Sequence, residues 1–299
     1  MKECIFYKAI DLSAILGKYG FNRDSIGNIQ VGYDKNIYIL AKDRNDSAYL
    51  SAIVIEPDWE EETAKSDYSV YLGKQDLGFY FIQPFQDNLM IVNSRCSYNH
   101  GDPEQNAIIF DKNGNELKRF CVGDGIEWLY TRADGTFVTG YFDEGVFGNY
   151  GWDNPIGAPG VIIWDENGNR IKEASRKIYD CYAMNIDDSN NIWYYYYDEF
   201  KLIKDQGNHE FEYEPGIIGA DIFFISADEQ TALFNGGYDE TGTYRIVKLV
   251  GHKDEHPEKI MFRYMDSKPD SIFLISAYGS YAVFHDVNER MFIRRFINI

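Results

Sequence analysis

The chain has little of what would announce a chemistry. Its four cysteines, Cys4, Cys96, Cys121 and Cys181, lie far apart with no C-x-x-C pair among them. That spacing excludes a disulfide scaffold and any sequence-local zinc knuckle. No stretch approaches the ~18 consecutive apolar residues that a membrane-crossing helix needs. The opening Met-Lys-Glu-Cys-Ile-Phe-Tyr turns polar again at Lys8, unlike a secretory signal. Positive charge is scarce: 29 Lys and Arg stand against 48 Asp and Glu, for a formal charge of −19. Such a surface repels a phosphate backbone, so nucleic acid is not an expected partner. Phosphate-cradling loops, G-x-S-x-G elbows and H-E-x-x-H helices are missing as well. A soluble cytoplasmic protein with reduced thiols, acting on neither membrane nor nucleic acid, is the expectation. Helical signals are equally thin, and only residues 11–18 suggest a turn or two.

What is present is strand material. With 44% hydrophobic and 16% aromatic residues the chain has ample substance for a packed core. Short runs rich in Val, Ile, Tyr, Phe and Trp alternate with Gly, Asn and Asp, the signature of strands and tight turns. A strand–turn–strand unit recurs at residues 29–40, 79–92, 126–138, 182–195, 222–234 and 272–284. Its turns centre on Asn36, Asn88, Gly135, Asn191, Gln230 and Gly279, at intervals of 39 to 56 residues. A second hairpin follows most of them. Residues 107–120 and 161–172 are near-copies turning on Asn-Gly, the strongest short hairpin signal. Four antiparallel strands per repeat of about 40–50 residues are the blades of a β-propeller. The sequence therefore predicts an all-β fold, a six-bladed β-propeller in one domain spanning residues 1–299. The sixth repeat stops after a third strand at about 291–296. A strand at about 4–10 is expected to pair with it, closing the ring and removing an exposed edge.

Two loop sets on one rim carry the candidate chemistry. An Asp precedes each inner strand: Asp24, Asp76, Asp124, Asp180, Asp221 and Asp270. Carboxylates converging on a channel mouth would raise one another's pKa or hold Ca²⁺ or Mg²⁺. Equally, each could cap its own turn by accepting a backbone N–H. Asp124, Asp180, Asp221 and Asp270 are the metal-ligand candidates. In the second loop set an aromatic residue is followed by Asp-Glu three times, at Phe142-Asp143-Glu144, Tyr197-Asp198-Glu199 and Tyr238-Asp239-Glu240. Arg44, Arg95, His100 and His285 stand at related positions. The pattern fits a polarised pocket, with Asp143, Glu144, Asp198, Glu199, Asp239, Glu240, Arg95, His100 and His285 as ligand-binding candidates. It fits a solvated acidic rim as well. The loop of residues 144–160 is the longest without a repeat pattern and carries Phe147, Tyr150 and Trp152 among glycines. Trp152 is read as a lid or partner anchor, or as a plug packed onto the fold. His252 and His256 lie in a loop kept from helix by Pro257 and make a poor metal pair.

Residues 140–149 with 155–160, and 180–185 with 193–196, resemble a group of uncharacterised bacterial propeller proteins. The resemblance covers the third and fourth repeats and implies the fold, with no established activity. More distantly the layout is similar to NHL-type propellers and to gluconolactonase-like hydrolases, which carry a channel metal. The chain lacks the Glu-Gly-Pro start of the latter's first inner strand; Glu127-Trp128 is a fragment of it in the third repeat.

Two readings result. One is a binding or interaction propeller whose acidic, loop-rich rim takes a basic protein surface or a small polar ligand. The other is a metal-dependent hydrolase or lyase, with Asp143, Glu144 or His100 moving protons.

Overall fold

A computed structural model describes residues 2–99, 101–238, 240, 242–254, 256–265, 272–288 and 290–298. Six antiparallel sheets of four strands follow one another along the chain, the strand count and order of a six-bladed β-propeller. The first blade comprises Ile26–Val31, Ile37–Lys42, Tyr49–Asp58 and Thr63–Lys74. The second comprises Phe81–Phe85, Asn88–Val92, Ala107–Phe110 and Glu116–Phe120. The third is built from Ile126–Thr131, Phe137–Tyr141, Val161–Trp164 and Arg170–Glu173. The fourth is built from Asp180–Ile186, Ile192–Tyr197, Lys201–Asp205 and Glu210–Tyr213. Phe223–Ile225, Thr231–Asn235, Tyr244–Lys248 and Glu258–Tyr264 form the fifth. Ile272–Tyr278, Tyr281–Asp286 and Arg290–Arg295 form three strands of the sixth.

The chain divides into two compact units, Ile15–Glu56 with Ser66–Cys181, and Met1–Ala14 with Pro57–Lys65 and Tyr182–Ile299. Within the first unit, Phe81, Met90, Ile109, Leu129, Phe137 and Trp164 interleave between the second and third blades. Tyr38, Leu40, Val54, Ile82, Ile91 and Ile108 do the same between the first and second. In the other unit, Phe6, Phe224, Phe262, Phe284, Phe292 and Phe296 form an aromatic core. Inner strands are apolar on both faces, as the stacking of sheets on sheets demands: every residue of Phe223–Ile225 and all but the last of Ile192–Tyr197 are buried. Burial of each such side chain contributes roughly 1.5–3 kcal/mol.

The near-copy hairpins turn differently from the two-residue Asn-Gly turn their sequence suggests. In each, an Asp opens the turn: Asp111 Oδ1 accepts from the N–H groups of Asn113 (2.8 Å) and Asn115 (2.9 Å), and Asp165 Oδ1 from Asn167 and Asn169 (both 2.8 Å). Only the glycine, Gly114 or Gly168, takes a positive φ (83° and 77°), and the ladder slips by one residue beside it. This is a type I turn with a glycine bulge, selected because the Asp side chain supplies the acceptor that a shorter turn would find in the backbone.

The N-terminal segment closes the last sheet as predicted, through the far end of the predicted strand. Ile10 pairs with Met291 and Asp11 with Arg290, completing the sixth blade with two residues. The first part of the expected strand, residues 4–6, instead belongs to Lys2–Phe6, which runs parallel to Glu258–Tyr264 as a fifth strand on the fifth blade, Cys4 opposite Phe262. Phe6 anchors the segment there: it is fully buried, 5.1 Å from the Phe292 ring and 5.3 Å from Phe284. Arg294 fastens the segment, donating to the Ile5 carbonyl (3.0 Å), contacting Cys4 Sγ (2.8 Å) and pairing with Glu62. The predicted helical turns are present at Leu12–Lys18, where Asp11 Oδ1 accepts from the Ala14 N–H at 2.9 Å.

Candidate functional site

Two loop clusters hold most of the predicted site residues, one in each unit. The first is assembled from residues 93–99 and 101–106, residues 121–125 and the long loop from 142 to 160. Arg95 is its hub. Its Nε and one terminal nitrogen meet the two oxygens of Asp124 (both 3.0 Å), and the other terminal nitrogen meets Glu144 Oε2 at 2.6 Å. Its plane lies 4.2 Å from the Tyr150 ring centre and 5.3 Å from Phe142. Asp124 is 1% exposed and also accepts the Cys96 N–H at 2.8 Å. Asp124 thus accepts three hydrogen bonds from protein donors, an arrangement that clamps the two loops together. Glycines make the clamp possible. A Cβ on Gly125, whose φ is +75°, would stand 2.3 Å from the Gly145 Cα, so only two glycines let these chains touch.

The long loop is folded down. Asp143–Phe147 is a short helix, and Trp152 is 8% exposed, its indole N–H donating to the Cys96 carbonyl at 2.7 Å and its ring 4.8 Å from Tyr98. Of the two alternatives for Trp152, the geometry is that of the plug. Phe147 (65% exposed) and Tyr150 (50%) are the rings this loop presents outward.

Asp143 is exposed and flanks Asp180, the first residue of the fourth blade. Burial, then the charges of Asp143 and Glu127, push the Asp180 carboxyl up to about 7. In the same unit Asp76 meets Arg119 at 2.7 Å, Arg44 is exposed, and Asp24 belongs to the single helical turn Arg23–Ser25.

The second cluster is aromatic. Tyr182, Tyr197, Phe200 and Tyr238 gather where the fourth blade's second strand ends and the fifth blade's loop of 236–243 begins. Tyr182 stacks on Tyr197 with centroids 6.0 Å apart and an 18° tilt, meets Phe200 and Tyr238 edge-on, and shares a 2.5 Å hydroxyl contact with Tyr238. Glycine again sets the approach. A Cβ on Gly219 (φ +74°) would fall 2.4 Å from the Tyr238 ring. Tyr195 braces the cluster from beneath, donating its hydroxyl to the Ile217 carbonyl at 2.7 Å. Despite this packing Tyr197 is 43% and Tyr238 57% exposed, beside Ile218 at 58%.

The acids around it divide by partner. Glu199 is held below the usual carboxylate range by Tyr196 and Lys201, and Glu240 by Lys259 first and also by Arg245. Asp198 and Asp221 are exposed, Asp221 taking a hydrogen bond from the Asn235 amide. Next to the cluster a cavity of about 460 Å³ is lined by Ile217, Ile218, Glu240, Arg245, His256 and Pro257, with the Glu240–Arg245 pair at 2.8 Å. His285 is half-buried in the sixth blade, 5.7 Å from the Phe273 ring. His100, Asp239 and Asp270 lie outside the described residues. Among the described residues no three His, Cys, Asp or Glu side chains are grouped to hold a metal ion.

The sequence signal that marks both clusters is the aromatic residue before Asp-Glu, not the acids. Phe142 lies under Arg95, whereas Tyr197 and Tyr238 face solvent. Tyr182 carried no such mark, because it reaches the cluster from a neighbouring strand.

Neither a family model nor a curated protein matches the chain. Solved structures do. Virginiamycin B lyase from Staphylococcus aureus superposes with a TM-score of 0.51 at 10% identity, covering 89% of this chain and 79% of that one. The PQQ-bound aldose sugar dehydrogenase of Streptomyces coelicolor gives 0.50 at 10% identity, with 90% and 93% covered. Hsv2 from Kluyvelomyces marxianus gives 0.50 at 9% identity, with 92% and 77% covered. At such identities the likeness concerns the fold, a scaffold used for both binding and catalysis.

Proposed function

We propose that the chain is a binding scaffold that takes a basic protein segment, with a Lys or Arg side chain seated on Tyr197 and Tyr238. The observation that carries this reading is the exposed tyrosine cluster at Tyr182, Tyr197 and Tyr238, set beside Asp198 in a chain of charge −19. Exposed rings supported from below cost solvation energy in the free protein and regain it on contact. A cation over a tyrosine face contributes roughly 0.5–2 kcal/mol, and the acidic surface speeds its arrival. The test is the anisotropy of a fluorescent Lys/Arg-rich peptide. Binding that weakens steeply with salt and falls about tenfold in the Tyr197→Ala, Tyr238→Ala double variant supports the reading. Equal binding by both chains removes it.

A second reading, a hydrolase or lyase assisted by Ca²⁺ or Mg²⁺, is favoured by one observation: the near-neutral carboxyl of Asp180 beside Asp143, suited to proton transfer at ordinary pH. A melting temperature raised by millimolar calcium in the parent chain and not in Asp180→Asn supports it, and no shift in either removes it.

A further inference from the structure

The fold brings together two cysteines that stand 25 residues apart. Cys96 Sγ and Cys121 Sγ are 3.6 Å from one another, Cys96 buried and Cys121 partly open to solvent. Cys96 lies in the connection after the second blade's second strand, and Cys121 directly follows that blade's last strand. From this geometry we infer that Cys96 and Cys121 form a reversible dithiol–disulfide site, with Cys121 as the attacking and Cys96 as the resolving sulfur. Closing the pair needs the sulfurs to approach by ~1.5 Å, toward the ~2.05 Å of a disulfide.

The surroundings divide the roles. Hydrogen bonding from Cys96, and from the Gly123 N–H, favours the Cys121 thiolate and sets it below the ordinary thiol range. Cys96 is raised by the same contact and by burial. Its proton also has the Glu104 carbonyl within 3.3 Å. The other two cysteines lack this arrangement: burial raises both, Cys181 is fully enclosed, and Cys4 lies against Arg294. A thiolate that is accessible and has a second thiol behind it is the arrangement that thiol–disulfide exchange requires.

With glutathione disulfide as oxidant, the Cys121 thiolate attacks one sulfur. The Cys121–glutathione bond forms as the glutathione S–S bond breaks, and one glutathione thiolate leaves. Cys96 then gives its proton to solvent and attacks Cys121 Sγ, forming the internal disulfide and expelling the second glutathione thiolate. The protein loses two electrons and two protons, and one glutathione disulfide becomes two glutathione molecules. The event reaches the candidate site directly, since Cys96 donates its N–H to Asp124 and its carbonyl receives the Trp152 indole.

The test uses the whole purified chain equilibrated in mixtures of reduced and oxidised glutathione, quenched in acid, alkylated and mapped by mass. The expected result is a peptide pair joined through Cys96 and Cys121, two hydrogens lighter than its reduced parts, with Cys4 and Cys181 alkylated. Cys96→Ser should retain one glutathione on Cys121, and Cys121→Ser none on Cys96. Indole fluorescence should change on oxidation, return with dithiothreitol, and lose that response in Trp152→Phe. Free Cys96 and Cys121 across the whole series, or a bond made to Cys4 or Cys181 instead, would overturn the inference. The wild-type map decides this even if a variant fails to fold.

Discussion

The Arg95 cluster and the Tyr182 cluster are built from the same sequence device, an aromatic residue followed by Asp-Glu at a blade's loop, and they reach opposite ends. Around Arg95 the device is turned inward. Asp124 and Glu144 share a single guanidinium, Phe142 lies beneath it, and Trp152 is sealed against Cys96. Around Tyr182 the acids find partners to the side, Lys201 for Glu199 and Lys259 for Glu240, and the rings are left facing water. One arginine makes the difference. Where a blade supplies a cation to the loop, the loop becomes architecture. Where its cations pair to the side instead of over the rings, the aromatic surface remains available.

That contrast can be broken by experiment. The largest effect is expected from Trp152→Ala, which empties a buried indole site and strands the Cys96 carbonyl. Urea unfolding should show a loss of about 3–5 kcal/mol, and a loss below about 1 kcal/mol would mean the loop is not packed down. Asp124→Asn comes next. It removes the charge facing Arg95 and should cost about 3 kcal/mol, softened by the partial exposure of Arg95. Asp180→Asn should act in the opposite direction. Asp180 keeps a proton in the folded chain that an ordinary carboxyl has lost, so its contribution is present at low pH and is lost as pH rises from about 4 to about 7. The variant should flatten the stability–pH curve across that window and gain about 1 kcal/mol at pH 8, a figure reduced for solvent screening. A curve unchanged from the parent would contradict the raised carboxyl. The smallest effect belongs to Tyr238→Ala, whose stability should stay within about 0.5 kcal/mol of the parent while peptide capture weakens. A large destabilisation there would make the two clusters alike.

The blades were legible because their cause is local: two-sided apolar runs such as Ile-Trp-Tyr-Tyr-Tyr and turns opened by Asp need no distant partner to be recognised. Closure was legible at Ile10 and Met291, but the separate strand Lys2–Phe6 on the fifth blade was not, since Cys-Ile-Phe suits either edge and the rings around Phe6 come from distant residues. At the candidate site, the positions of the acids could be read but their partners could not. Asp76, Asp124 and Asp221 each precede an inner strand in sequence and meet Arg119, Arg95 and Asn235. Spacing alone does not say which of them is saturated, nor that Cys96 and Cys121 would touch.

The parallel strand at residues 2–6 has a consequence for biogenesis. Its hydrogen-bonding ladder lies about 260 positions downstream, so this strand has no place to settle until the intervening blades have been made. Contacts of such long separation slow assembly. Until then the Phe6 side chain, destined for the aromatic core, has no partner rings to cover it.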